Sequence, residues 1–156
     1  MALVAHGYDR TTVDVDVLLA PGDLPLVHER LEGLGYVALF KGGKHLRDTT
    51  SAVRVEFLLA GQFPGDGKPK PVAFPDPAAA STQIDGVRYL TLEKLVELKL
   101  ASGMTNPGRL KDLADVQELI RVLELPADFR QDLNPYVREK YLELWNGVRQ
   151  APSDFG

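Results

Sequence analysis

Thr12-Val13-Asp14-Val15-Asp16-Val17-Leu18-Leu19 is the stretch on which the fold of this 156-residue chain turns. Val13, Val15 and Val17 fall on one face; Thr12, Asp14 and Asp16 fall on the other. A period of two built on β-branched residues reads as a strand with one apolar and one polar side. A second stretch, Val53-Arg54-Val55-Glu56-Phe57-Leu58-Leu59, has the same grammar. There Val53, Val55 and Phe57 share a face, and Arg54, Glu56 and Leu58 take the opposite one.

The segments between and after these two strands set the architecture. Pro21-Gly22 ends the first strand. Asp23 then caps a helix expected to run to about Leu34, with Leu26, Val27, Leu31 and Leu34 inward and Gly35 closing it. A strand over 36–40 completes a strand–helix–strand crossover unit. Lys41-Gly42-Gly43-Lys44 signals a hairpin turn into a short strand over 45–48. Residues 61–77, crowded with proline and glycine, read as an extended surface loop, a simple wrap or a lid. Residues 83–90 read as an edge strand turning at Asp85-Gly86. From Thr91 the period becomes helical, predicting helices over 91–102, 107–123 and 134–150. Asn134-Pro135 supplies a cap followed by proline at the first helical position. The pattern predicts an α+β (α/β two-layer) domain: a small mixed sheet over residues 1–90, then a helical part, 91–156, packed on it as one structural unit.

Composition narrows the function. The net charge is −4, which disfavours sequence-independent binding along a phosphate backbone but leaves room for one phosphate-bearing ligand. No apolar run is long enough for a bilayer, so no membrane partner is expected. There is no cysteine, hence no disulfide and no thiolate site. Without a basic, apolar leader, a cytoplasmic location is the expectation.

The carboxylates carry the chemistry. Asp14 and Asp16 share one face of a strand, their origins about 6–7 Å apart. Glu56 sits on a second strand, also between apolar residues of the other face. If the strands are neighbours, three like charges converge and repel unless a cation sits among them. Hard oxygen donors select Mg²⁺ or Mn²⁺. The same alternation is also what an edge strand with a solvated face displays; aspartate is a poor strand former, which favours a functional reading.

The run His6-Gly7-Tyr8-Asp9-Arg10-Thr11-Thr12-Val13-Asp14-Val15-Asp16 resembles the core motif of the DNA-polymerase-β-like nucleotidyltransferase superfamily. It is similar in particular to small bacterial members grouped with the nucleotidyltransferase-type toxins of abortive-infection toxin–antitoxin systems. Glu56 matches their third acid, and Lys99-Leu100-Ala101-Ser102 with Arg109-Leu110-Lys111-Asp112-Leu113-Ala114-Asp115 matches their later helical motif. The resemblance spans roughly residues 3 to 123. It implies a nucleotidyltransferase fold, with Asp14, Asp16 and Glu56 as catalytic metal ligands for Mg²⁺ or Mn²⁺. It implies a nucleoside triphosphate substrate and an acceptor that is RNA or protein, with a homodimer or an antitoxin-like protein as the partner. The family carries a Gly-Gly or Gly-Ser pair just before this stretch, whose amides hold the nucleotide phosphates. Met1-Ala2-Leu3-Val4 shows no such pair, so the sheet core reads as N-terminally short. Two expectations follow: a nucleotidyltransferase, or a catalytically incomplete binding or regulatory module of the same fold.

Other residues are candidates with plain alternatives. Arg10 can steer a phosphate, with Thr12 beside it, or pair with Asp9 or Asp48. Lys99 lies within the inward stripe of its helix and needs an acid or phosphate partner, unless it reaches water at the helix end. Asp112 borders the core stripe formed by Leu110, Leu113, Val116, Ile120 and Leu123, placed to pair Lys99 or orient Arg109. Asp115 is expected nearer solvent, against Lys111. His28 reads as a surface helix residue; His45 and Arg47 line the cleft or a solvated face. Val137, Tyr141, Leu144, Trp145 and Val148 form an apolar stripe, either core or a dimer seam.

Overall fold

Strict alternation produces strands where the sequence shows it. The computed structural model describes His6 and residues 14–151. Strand β1 is Asp14–Leu19, and β4 is Arg54–Leu59. Between them lie helix α1 (Leu24–Leu31), β2 (Tyr36–Ala38) and β3 (His45–Asp48). The four strands form one mixed sheet in the order β1-β4-β3-β2. β1 runs parallel to β4, while β3 is antiparallel to both β4 and β2. The crossover from β1 through α1 therefore returns to a strand of the same direction, but at the far edge. Two strands, β4 and β3, separate β2 from β1 in the sheet.

Helix α1 stops earlier than expected. Glu32 is already extended, and Gly33 takes φ of 81°, so the turn begins before Gly35. Leu34, now beyond the helix, is exposed rather than inward, and Leu26 is exposed within it. The inner side of α1 is instead Val27, His28 and Leu31, laid over the apolar sheet face. His28 is buried, not a surface residue: its Nε2 donates to the Gly43 carbonyl at 2.6 Å. Its Nδ1 stands 3.2 Å from Glu32 without hydrogen-bond geometry. Among the described residues, a cavity of about 500 Å³ remains under the sheet, lined by Val15, Val17, Val27, Leu31, Val55 and Phe57.

β5 (Ser81–Ile84) and β6 (Val87–Leu90) make a hairpin of their own instead of an edge strand of the main sheet. Asp85 and Gly86 both have positive φ, 50° and 79°, as a tight two-residue hairpin turn requires. Helices α2 (Leu92–Thr105), α3 (Leu110–Val122) and α4 (Pro135–Gln150) follow. The Thr91 hydroxyl accepts from the Lys94 amide to start α2, and the Asn134 side chain accepts from the Tyr136 amide to start α4.

Where α2 crosses α3 the approach is close. A Cβ on Gly103 would lie 2.4 Å from Leu113 Cγ. The main apolar core forms among these three helices, around Val96, Leu100, Leu119, Val137 and Tyr141. Trp145 and Val148 pack against it, which makes the α4 stripe core. That cluster includes no residue of the four-stranded sheet.

The proline-rich segment 61–77 is strapped to the helices. Val72 enters their core, and Asn106 donates to the Gly65 carbonyl at 3.2 Å. Gly65 has φ of 73°, and a Cβ there would meet Thr105 Oγ1 at 2.2 Å, so glycine is required. Lys70 is caged by the Pro64 carbonyl, the Lys68 carbonyl and Asp66, at 2.6, 2.8 and 2.6 Å. This is a wrap fastened at several points.

Candidate functional site

The parallel register of β1 and β4 sets the geometry. Asp16 lies directly beside Glu56, and Asp14 beside Arg54. On the other side of β4, His45 lies beside Glu56 and Arg47 beside Arg54. Adjacent strands are about 4.8 Å apart, so the polar face is a small grid. One row reads Asp16, Glu56, His45, and the next reads Asp14, Arg54, Arg47. All three acids singled out from the sequence stand on this face, and His45 and Arg47 stand there with them.

Local partners divide the acids. Glu56 Oε1 is 3.6 Å from His45 Nε2, and Asp14 Oδ1 is 3.6 Å from Arg54 Nε. Both separations are looser than a hydrogen bond. Asp16 is exposed, and no side chain among the described residues pairs with it. Arg47 and Arg54, directly opposite one another, repel across the strands.

A second charged cluster joins α2 to α3. Lys99 and Ser102, one turn apart on α2, face Asp112 and Asp115, one turn apart on α3. Lys99 Nζ donates to Asp112 at 3.2 Å and to Asp115 at 2.8 Å. The Ser102 hydroxyl donates to Asp112 at 2.7 Å, and Arg109 Nε donates to the same carboxylate oxygen at 2.9 Å. Asp112 is only 2% exposed. Burial pushes its carboxyl up, but Lys99, the Ser102 hydroxyl and Arg109 outweigh that and hold it below the ordinary carboxylate value. Asp115 is buried as well, against Lys99, and not turned to solvent. Leu110, expected in the core, is exposed, because the buried stripe of α3 runs through Asp112, Asp115, Val116, Leu119 and Ile120.

Arg109 belongs to this second cluster and feels the charge of the sheet acids. Burial works against its charge; Asp112 beside it, together with the charges of Asp16 and Glu56, overcomes this and raises the guanidinium above its usual value. The sequence pointed to Arg109 as something for Asp112 to orient and as the first residue of the later helical motif. The cue was its spacing, three residues before Asp112 on a helix start. Lys99 and Asp112 do meet, as an internal ion pair behind Arg109. Arg10 and Thr12 lie outside the described residues.

The donors suit a hard cation, since all three acids offer carboxylate oxygen and nothing softer. Their arrangement is open: among the described residues, no three His, Asp or Glu side chains close around one point. Asp14, Asp16 and Glu56, on one face of the paired strands, are the residues that would hold such an ion.

Comparison of the chain with family models, with curated proteins and with solved structures finds no match in any of the three. No helix among the described residues is long and apolar enough to cross a membrane.

Proposed function

We propose that the polar sheet face is the active face of a metal-dependent nucleotidyltransferase, which transfers a nucleoside monophosphate from a triphosphate to an acceptor hydroxyl. The observation that carries this reading is the register of β1 on β4, which sets Asp16 beside Glu56 with Asp14 on the same side. Asp14, Asp16 and Glu56 are the residues that would hold Mg²⁺ or Mn²⁺, which when bound would offset the triphosphate charge and make the acceptor hydroxyl easier to deprotonate. Glu56 takes the proton from that hydroxyl, the new oxygen–phosphorus bond forms, and pyrophosphate leaves. His45, 3.6 Å behind Glu56, orients this carboxylate. Lys99 acts from within, by charge on Asp112, and not by touching the nucleotide.

A second reading is favoured by the open arrangement of the acids and by their contacts with Arg54 and His45. On it, the chain is a catalytically incomplete module of nucleotidyltransferase type, a partner or regulator in a toxin–antitoxin-like pair. Incubation with Mg²⁺ or Mn²⁺ and each γ-labelled nucleoside triphosphate separates the two. Release of pyrophosphate that is lost in the Asp14→Ala/Asp16→Ala double variant supports the enzyme. No release from any of the four, with acceptor RNA and protein both supplied, leaves the module.

A further inference from the structure

We propose that the cavity beneath the sheet binds a small amphipathic amine, its apolar body under β4 and its ammonium group on Asp48. The cavity lies on the face opposite Asp14, Asp16 and Glu56, so the proposal goes beyond the nucleotide reading and does not depend on it.

The sheet presents an apolar face wider than α1 covers. All four strands line the cavity of about 500 Å³, whereas α1, eight residues long, contributes only Val27 and Leu31. Of the sheet residues lining it, Leu46 and Phe57 are buried, but Val15, Val17, Val53 and Val55 are only half-buried. Protein interiors leave few voids larger than a water molecule. Water needs polar partners to occupy a cavity; a space walled by valine and leucine takes up apolar molecules instead. The volume is that of a pocket for a small organic ligand.

One end of the space is polar. Asp48 closes β3 directly opposite Tyr36 on β2, both line the cavity, and Ser51 follows in the next turn. The Asp48 carboxylate is half-buried and accepts from the Ser51 hydroxyl at 2.7 Å and the Thr50 amide at 2.9 Å, one donor on each oxygen. Those two hydrogen bonds, the hydroxyl first, hold the carboxyl below its ordinary value, so it is charged at neutral pH. No lysine, arginine or histidine among the described residues pairs with that charge. Each oxygen keeps a lone pair free for a further donor. The Tyr36 hydroxyl likewise has no partner among the described residues. An ammonium group supplies both the donors and the missing charge. A carboxylate head would be repelled by Asp48.

The test uses n-octylamine, n-octanol and n-octanoate as probes, similar apolar chains with three different heads. Binding is read by titration calorimetry and by the melting midpoint, which a ligand of the folded form raises. Octylamine should bind at least about tenfold more tightly than octanol, the scale of a charge-assisted hydrogen bond, and octanoate more weakly than both. Asp48→Asn should remove the preference for the amine and leave octanol binding unchanged. Val55 stands on an inner strand between Val15 and Leu46, so Val55→Trp should fill the space and abolish binding of all three. Methyl NMR of the wild type needs no variant: octylamine should shift the Val15, Val17 and Val55 methyls. Absence of binding by every probe, octanoate bound as tightly as octylamine, or shifts confined to other methyls overturns the proposal. Octylamine binding that survives in a folded Val55→Trp variant also overturns it, as adsorption to an acidic surface. A wild-type dimer in sedimentation that Val55→Trp dissociates does so too, and gives the cavity to a second copy of the chain.

Discussion

Asp112 sits at the junction of three donors with almost no access to water, and its charge is held there by Lys99, Ser102 and Arg109 together. Replacing it with alanine leaves Lys99 with Asp115 alone and a void between α2 and α3. A loss of about 3 kcal/mol in urea denaturation is expected, the scale for breaking a buried pair. The pH dependence has a definite sign. The folded carboxyl titrates below its ordinary value, so its contribution is present above about pH 4 and disappears as pH falls through the lowered value. Wild-type stability should drop on acidification below about pH 4, whereas Asp112→Asn should show a flatter profile over that window. Parallel curves for the two proteins would discount the role given to this residue. That Asp112 would pair Lys99 or orient Arg109 was legible from the helical stripe; that it does both was not. The burial of Asp115 was not, because it depends on Lys99 arriving from another helix, and no spacing within α3 encodes that.

At the level of elements, alternation gave the faces of β1 and β4 correctly, since a period of two fixes sidedness without knowledge of partners. It could not give their neighbours. Strand pairing is a long-range choice, and β2 went to the far edge while β4 came in beside β1. Helix α1 was overestimated because Gly33, two residues ahead of Gly35, already supplies the left-handed turn. The α2–α3 crossing offers a direct check on packing. Alanine normally improves a helix over glycine by about 1 kcal/mol. At Gly103 the added methyl would strike Leu113 at its branch point, 2.4 Å away. Gly103→Ala should therefore lower stability by about 1–3 kcal/mol, as overpacking does, and the double variant with Leu113→Ala should recover part of it. A rise in melting temperature for the single variant would contradict the close crossing.

Over the whole molecule, burial is uneven. The main core lies among α2, α3 and α4, while the sheet that carries the acids has only α1 and the cavity on its apolar side among the described residues. Leu100→Ala, at a fully buried position, should cost about 3 kcal/mol. Native-state hydrogen exchange should show helix amides opening only with global unfolding, and the edge amides of β1 and β2 opening at lower free energy. Equal protection across sheet and helices would refute the division. The composition and periodicity of the sequence contained the α+β character and the side on which each acid stands. They did not contain the order of the strands, which exists only once the sheet is assembled.

The β1–β4 pairing also dictates when the acid pair can come into being. Asp16 and Glu56 are about 40 residues apart along the chain, and nothing local draws them together. The emerging polypeptide must lay down α1, β2 and β3 before β4 can slot in beside β1, so a ribosome-bound chain halted short of Leu59 has its aspartates but no partner for them. Late docking of this kind ties the birth of the site to closure of the sheet, a step with a high loop-closure cost.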